Sequence, residues 1–223
     1  MDPTWWKTLR EYAEALIVAL LLALFIRGFV VQAFKIPSES MLDTLLVGDH
    51  LLVTKFTYGI QWPFSDKVAV PMGDPKRGEI IVFRYPVDPD KDFIKRVIGV
   101  PGDVVEIKAK QVFVNGQLQE EPFVRHTEPV AVPNPHMPEV NQDPDKYFDR
   151  NSFTWKRDWM PKTTVPAGQY FVMGDNRDHS YDSRFWGFVS REAIRGRALI
   201  IYWSWDFTNG LTIRWNRLGH MVR

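Results

Sequence analysis

The chain has 223 residues, of which 45% are hydrophobic and 25% are charged, and these proportions are ordinary for a folded protein. The formal net charge is +1 and there is no long basic run, which argues against a nucleic-acid partner. Cysteine is absent, which excludes disulfide bonds, thiol catalysis and zinc sites with cysteine ligands.

The first predicted element is an apolar segment over residues 15–31, which only Arg27 and Gly28 interrupt. A helix of this length rises about 26 Å, close to the thickness of the hydrocarbon core of a bilayer. Trp5 and Trp6 precede the segment, as aromatic residues at a membrane interface often do. The pattern predicts a short tail over residues 1–14 and one transmembrane anchor over residues 15–34.

Two alternatives for this segment remain open. Val31-Gln32-Ala33 ends in a small residue, so the segment could be a signal peptide that is removed by cleavage. The unbroken apolar part, Ala15–Ile26, is short for a membrane span and also fits a buried helix of a soluble domain.

Beyond residue 34, short β-branched and aromatic runs alternate with Gly, Pro and Asp, which predicts an all-β domain over residues 35–223. The runs are Leu51–Val53, Glu79–Phe83, Phe93–Val100, Val104–Ile107, Val112–Val114, Tyr170–Met173 and Leu199–Tyr202. Asn115-Gly116 predicts a tight hairpin turn. Many prolines between residues 120 and 166 indicate a loop-rich insertion, which we predict at about residues 104–168.

A first candidate for chemistry is Ile36-Pro37-Ser38-Glu39-Ser40-Met41, directly after the apolar segment. Two serines flank a glutamate beside a proline that restricts the backbone. Composition alone favours a simpler interpretation, in which these residues begin a turn or a helix.

Lys95 is a second candidate, because it lies inside an apolar strand. A lysine on an edge strand usually faces water. A buried lysine has a lowered pKa, and its free amine can then act as a general base near neutral pH. Both interpretations fit the sequence.

The third candidate is the stretch of residues 174–184, which carries three aspartates and two arginines between apolar runs. Such a stretch is either an ordinary polar turn or a hydrogen-bonded loop that holds an active site. The five histidines lack the spacing of metal ligands, and no phosphate-binding loop occurs, so no metal or other cofactor is predicted.

Together these stretches resemble the bacterial type I signal (leader) peptidases, a family of proteases with a Ser–Lys dyad. The matching stretches, in chain order, are residues 36–41, 75–83, 94–103, 174–184 and 186–189. Their order and spacing fit across nearly all of residues 30–223, which makes the resemblance highly specific. Two positions depart from the family pattern: Asp43 stands where the family usually has Pro, and His179 where it often has Asn.

The resemblance implies a role for each matching residue. Ser40 would be the nucleophile and Lys95 the general base. The Ser38 hydroxyl and the Ser40 backbone N–H would hold the oxyanion, and Ser180 would orient Lys95 through a hydrogen bond. Asp182 and Arg184 would form a structural ion pair. The residues expected to line apolar pockets for small substrate side chains are Phe34, Ile36 and Ile94.

The implied activity is removal of signal peptides from exported preproteins by cleavage after small residues of the Ala-x-Ala type. The implied location is the inner membrane, with one span, a cytoplasmic tail and the catalytic domain on the periplasmic side. Membrane lipid is the second expected partner. A lipid-facing surface would use Trp203, Trp205, Phe207 and Trp215, although these residues also suit the core of a sheet.

Two rival functions remain open. A self-cleaving repressor-type Ser–Lys protease would share this chemistry, but it would need a helical DNA-binding domain, which the sequence lacks. A catalytically inactive, membrane-tethered binding or assembly factor is supported only by Asp43.

Overall fold

The computed structural model describes residues 4–61, 68–128, 130–131, 157–207 and 210–223. Helix α1 spans Thr4–Phe25, and a π-helical turn over Ile26–Val30 follows it. No helix among the described residues has both the length and the apolar character that a membrane crossing requires. Residues 31–34, which the predicted anchor includes, belong to a strand instead, because their backbone groups pair with a neighbouring strand.

The described residues after α1 form mostly short strands. In chain order these are β1 Val31–Lys35, β2 Asp49–Thr54, β3 Gly59–Gln61, β4 Val68–Pro71, β5 Ile80–Arg84, β6 Asp92–Gly99, β7 Val104–Lys108, β8 Gln111–Val114, β9 Gln117–Leu118, β10 Met160–Thr164, β11 Gln169–Met173, β12 Val189–Ser190, β13 Ile194–Asp206, β14 Thr212–Ile213 and β15 His220–Met221. A short helix, α2, spans Ser183–Trp186. The prediction of an all-β domain after an N-terminal helix is confirmed.

The main sheet has the strand order β1-β2-β13-β5-β6-β11-β12, and β14 and β15 pair with β13. Its described strands pair with one another in antiparallel fashion. Strand β13 is 13 residues long and pairs with β2 along one edge and β5 along the other. Its register shifts against both neighbours, as it does where a strand carries a bulge or a similar irregularity that bends it.

A second sheet of order β10-β7-β8-β9 uses residues from both ends of the predicted insertion. Asn115 and Gly116 connect β8 to β9 with φ values of 54° and 80°, as a type I′ hairpin turn requires. The predicted hairpin is therefore confirmed. Residues 132–156, the centre of the proline-rich stretch, lie outside the described residues, and the insertion boundaries stay a prediction.

One apolar cluster lies between the main sheet and the loop that follows β1. Met41 and Leu45 from this loop are fully buried against Ile80 and Val82 of β5. Full burial of one such side chain contributes about 1.5–3 kcal/mol, so the loop is fixed to the sheet on both sides of residues 42–44.

Candidate active site

The loop after β1 presents Ser40 in a fixed position. At its start, the Ile36 N–H donates to the Asp49 carbonyl at 2.8 Å, which continues the pairing of β1 with β2. Asn176 holds the loop from the other side, since its N–H donates to the Ser40 carbonyl at 3.1 Å and its side-chain Nδ2 donates to the Glu39 carbonyl at 3.1 Å.

Lys95 of β6 meets Ser40 inside the protein. Its Nζ donates to Ser40 Oγ at 2.7 Å and to the Ile94 carbonyl at 2.9 Å. Lys95 is 4% exposed and Ser40 is 8% exposed, so both groups are shielded from bulk water. Lys95 Nζ lies 5.4 Å from the centre of the Phe93 ring.

The surroundings of Lys95 favour its uncharged form. Burial lowers the pKa of Lys95 to about 8, although the nearby carboxylates of Asp182 and Asp175 act in the opposite direction. A pKa in this range yields a useful fraction of free amine near neutral pH. The geometry and the pKa together describe a hydroxyl beside a base that can accept its proton.

Gly174, which follows β11, allows close contact between two loops. A Cβ atom at this position would lie 2.3 Å from Ser180 Oγ and 2.4 Å from the Ser40 carbonyl oxygen. No residue with a side chain fits there without movement of the backbone around Ser40.

Asp182 and Arg184 form a buried ion pair that organises residues 174–184. Arg184 Nε donates to Asp182 Oδ1 at 2.8 Å, and the Gly174 N–H donates to Asp182 Oδ2 at 3.0 Å. Burial alone would raise the pKa of Asp182. The net effect is a lowered pKa, because burial is outweighed by the Arg184 guanidinium, the Gly174 N–H and the nearby Ser180 hydroxyl. Arg184 also donates to the Arg157 and Arg177 carbonyls at 3.0 and 2.7 Å.

A second buried ion pair joins β6 to the segment after β11. Arg96 donates through Nε and Nη2 to the two oxygens of Asp175 at 2.8 and 2.7 Å. The Phe123 ring lies 3.7 Å from the guanidinium carbon of Arg96. Thr44 Oγ1 donates to Asp175 at 2.5 Å, so this pair also supports the loop that carries Ser40.

Comparisons with known proteins identify the family of this site. The family model for signal peptidase, peptidase S26, matches residues 9–203. The chain belongs to this family.

Among similar proteins, a signal peptidase I of Pseudomonas fluorescens is 40% identical over 215 residues, which covers 87% of this chain and 72% of that protein. A signal peptidase I of Aquifex aeolicus is 36% identical over 235 residues, which covers 88% and 85%. A crystal structure of a signal peptidase I from Enterococcus faecalis matches with 27% identity and a TM-score of 0.38, over 56% of this chain and 97% of the other.

The remaining predicted residues of this S26 peptidase lie around the Ser40–Lys95 contact. Ser38 is exposed two residues before Ser40. Phe34, Ile36 and Ile94 belong to one apolar cluster beneath the loop, in which Ile36 and Ile94 are buried and Phe34 is partly buried.

Ser180 differs from its predicted role. Its Oγ is buried and forms no hydrogen bond of good geometry with any described residue. The expected hydrogen bond to Lys95 is therefore not formed. The hydroxyl lies beside the Asp182 carboxylate and packs against Gly174 instead. Lys95 makes its contacts with Ser40 and with its own strand.

Arg96, Asp175, Asn176 and Gly174 also shape the site, and the sequence interpretation gave them no individual role. A signal was present, because Arg96 is a charged residue inside the apolar strand β6 and the other three begin the polar stretch of residues 174–184. Asp43, the departure from the family pattern, is exposed and pairs with Arg125 Nη1 at 2.7 Å. Its charge is therefore balanced by a partner from the insertion.

Proposed function

We propose that this chain is a serine endopeptidase that removes signal peptides from exported preproteins, with Ser40 as nucleophile and Lys95 as general base. The observation that carries this proposal is the 2.7 Å contact between Lys95 Nζ and Ser40 Oγ, two buried groups in a member of a peptidase family. A hydroxyl is a poor nucleophile until a base takes its proton, and neutral Lys95 is suited to that task.

The reaction has two steps. Ser40 Oγ attacks the carbonyl carbon of the scissile bond while its proton passes to Lys95. The resulting ammonium gives the proton to the nitrogen of the leaving peptide, which departs and leaves an acyl-enzyme. A water molecule then attacks the ester while Lys95 takes its proton, and Lys95 returns this proton to Ser40 Oγ as the ester bond breaks and the signal peptide is released.

The negative oxygen of each tetrahedral intermediate needs hydrogen-bond donors. The proposed donors are the Ser40 backbone N–H and the Ser38 hydroxyl. Both belong to the loop after β1 that carries the nucleophilic Oγ, beside which the negative oxygen forms. The exposed side chain of Ser38 is free to turn towards bound substrate.

Phe34, Ile36 and Ile94 are the proposed lining of the substrate pockets. Ile36 and Ile94 belong to a single cluster of buried apolar residues and Phe34 packs against it, and such clusters are densely packed. This supports cleavage after Ala-x-Ala sequences, since a larger residue would have to displace buried apolar side chains.

The proposed setting is the inner membrane, with an anchor that begins at about residue 15 and ends before β1, and with the catalytic domain on the periplasmic side. Three apolar side chains near the end of β13 support a lipid-facing surface. Phe207 is 54% exposed, Leu211 is 65% exposed and Trp215 is 71% exposed. Trp203 and Trp205 are partly buried behind them, with Trp203 6.5 Å from Trp215 between ring centres.

The test is cleavage of a purified precursor with an Ala-x-Ala junction in detergent. Wild type should produce a single cut after the last alanine, and Ser40→Ala should produce none. Ser190→Ala is the matched control, because its hydroxyl only caps a turn through Ala193 N, and it should cut like wild type.

Other outcomes would favour the rival functions. If a folded wild-type protein leaves the precursor intact, the inactive binding or assembly factor becomes the better assignment. If the chain cuts itself and spares the precursor, the repressor-type protease becomes the better one. Both results would contradict the proposal.

A further inference from the structure

A cleft of about 680 Å³ lies where the π-helical turn after α1 meets β1 and β2. Ala23, Ile26, Val31 and Leu52 give it an apolar wall. Arg27 and Lys55 lie at the same cleft, and none of the described residues that line it is acidic. The described lining thus combines an apolar wall with two basic side chains.

Among the described residues, no acidic side chain lines this cleft beside its two basic side chains. Lys55 Nζ lies 3.3 and 3.4 Å from the carbonyl oxygens of Arg27 and Gly28, distances that leave room for a stronger acceptor. Burial, Arg195 and Arg27 all lower the pKa of Lys55. Arg195 has an acidic contact of its own, with Asp92 at 3.5 Å.

We propose that this cleft binds an anionic phospholipid, with the lipid phosphate between Arg27 and Lys55 and an acyl chain along the apolar wall. A phosphate oxygen accepts strong hydrogen bonds from guanidinium and ammonium groups. A free anion would satisfy the charges, but it would leave the wall of Ala23, Ile26 and Leu52 exposed to water. The inference does not depend on the peptidase chemistry.

The experiment uses the full chain in micelles of an uncharged detergent. Its melting temperature is followed while short-chain phosphatidylglycerol, short-chain phosphatidylcholine or inorganic phosphate is added. A ligand that binds only the folded state raises the melting temperature with concentration. We expect a rise with phosphatidylglycerol at concentrations where phosphatidylcholine and inorganic phosphate have little effect.

The variant Arg27→Gln/Lys55→Gln should bind phosphatidylglycerol about tenfold or more weakly, since each basic residue contributes to attraction of an anionic lipid. The control Lys76→Gln/Lys162→Gln removes two exposed lysines outside the cleft and should bind like wild type. The variant Arg27→Lys/Lys55→Arg keeps both charges and should retain most of the binding, which separates loss of charge from damage to the fold.

Three results would overturn the proposal. Equal weakening by the cleft variant and the control would indicate attraction by overall charge. An equal response to phosphatidylglycerol and phosphatidylcholine would remove the role of the anion. A full response to inorganic phosphate at the same concentration would identify a site for free anions rather than for lipid.

Discussion

Lys95 is an amine in surroundings that disfavour its charge. Burial is the largest cause of its lowered pKa, and the carboxylates of Asp182 and Asp175 prevent a larger decrease. With a pKa of about 8, most of the lysine is still protonated at pH 7. The proposed base is therefore only partly available at neutral pH, and this has consequences for both rate and stability.

The first consequence concerns rate. Only the uncharged amine can accept the Ser40 proton, so kcat/KM should rise about tenfold per pH unit below about pH 8 and level off above it. The measurement is kcat/KM for a soluble peptide between pH 6 and 10. A flat profile below pH 8, with the protein still folded, would contradict a titrating lysine base.

The second consequence concerns stability. Lys95→Met should abolish cleavage and yet stabilise the fold at pH 7 by up to about 3 kcal/mol, since one pKa unit corresponds to about 1.4 kcal/mol. Because the pKa of Lys95 in the folded protein lies below the ordinary lysine value of 10.5, the gain should be full below about pH 8 and fade as pH rises towards 10.5.

Urea unfolding at several pH values measures this gain. Lys162→Met is the matched control, because Lys162 is exposed on β10 and its loss should change stability little. If Lys95→Met instead lowers the free energy of unfolding at pH 7, burial of the charged Lys95 ammonium does not destabilise the fold.

Gly174 provides a third test at this scale. Gly174→Ala would place a Cβ atom within 2.4 Å of both Ser180 Oγ and the Ser40 carbonyl oxygen. The Ser40 loop must then move, and we expect a fall in kcat of about a hundredfold, because small displacements of reacting groups are costly. Gly28→Ala is the control, since an added Cβ there meets no atom within 4 Å.

At the scale of elements, buried ion pairs connect the loops that carry the site. Arg96–Asp175 links β6 to the segment after β11, and Asp182–Arg184 holds the stretch before α2. Such pairs add little net stability, because removing both charges from water costs about as much as their attraction returns. Breaking one pair leaves a charge unpaired and is costly.

The Asp182–Arg184 pair tests this argument. Arg184→Met should lower the free energy of unfolding by about 3–5 kcal/mol, because it leaves the Asp182 carboxylate buried without its partner. The double variant Asp182→Asn/Arg184→Met should recover part of that loss. Lys91→Met, which breaks the exposed pair with Asp88, should change stability little, because solvent screens such a pair.

The distance along the chain between interacting residues explains which features the sequence could predict. The strands and the Asn115-Gly116 turn depend on residues that are close together in the chain. Local sequence patterns could therefore predict these elements. The contact of Arg96 with Asp175 depends on the register of β6 against β11, in which Arg96 lies opposite Met173. No local pattern contains that register.

Two other differences have similar causes. Residues 31–34 are too few to show a helix or strand period, so they suit either a helix end or a strand, and pairing with β2 decides between them. The position of the Ser180 hydroxyl depends on its packing against Gly174, which no sequence motif specifies.

At the scale of the whole molecule, the catalytic loop lies close to the exposed apolar side chains. Lys35 ends β1 five residues before Ser40, and its Nζ lies 5.9 Å from the centre of the Phe207 ring. Strand β2, which pairs with β1, also pairs with β13, the strand that leads to Phe207. A membrane contact at Phe207, Leu211 and Trp215 would therefore bring Ser40 near the lipid surface.

This arrangement predicts a difference between two kinds of substrate. The variant Phe207→Ser/Leu211→Ser/Trp215→Ser should cleave a short soluble peptide as wild type does, because none of these side chains contacts Ser40 or Lys95. Its KM for a precursor inserted in lipid vesicles should rise several-fold, since the apolar contact that brings the enzyme to the bilayer surface is weakened.

Met72→Ser/Val87→Ser, which removes exposed apolar side chains elsewhere, is the control and should leave both KM values unchanged. An equal rise for both substrates would indicate damage to the active site, and no rise for either would exclude this surface from lipid contact.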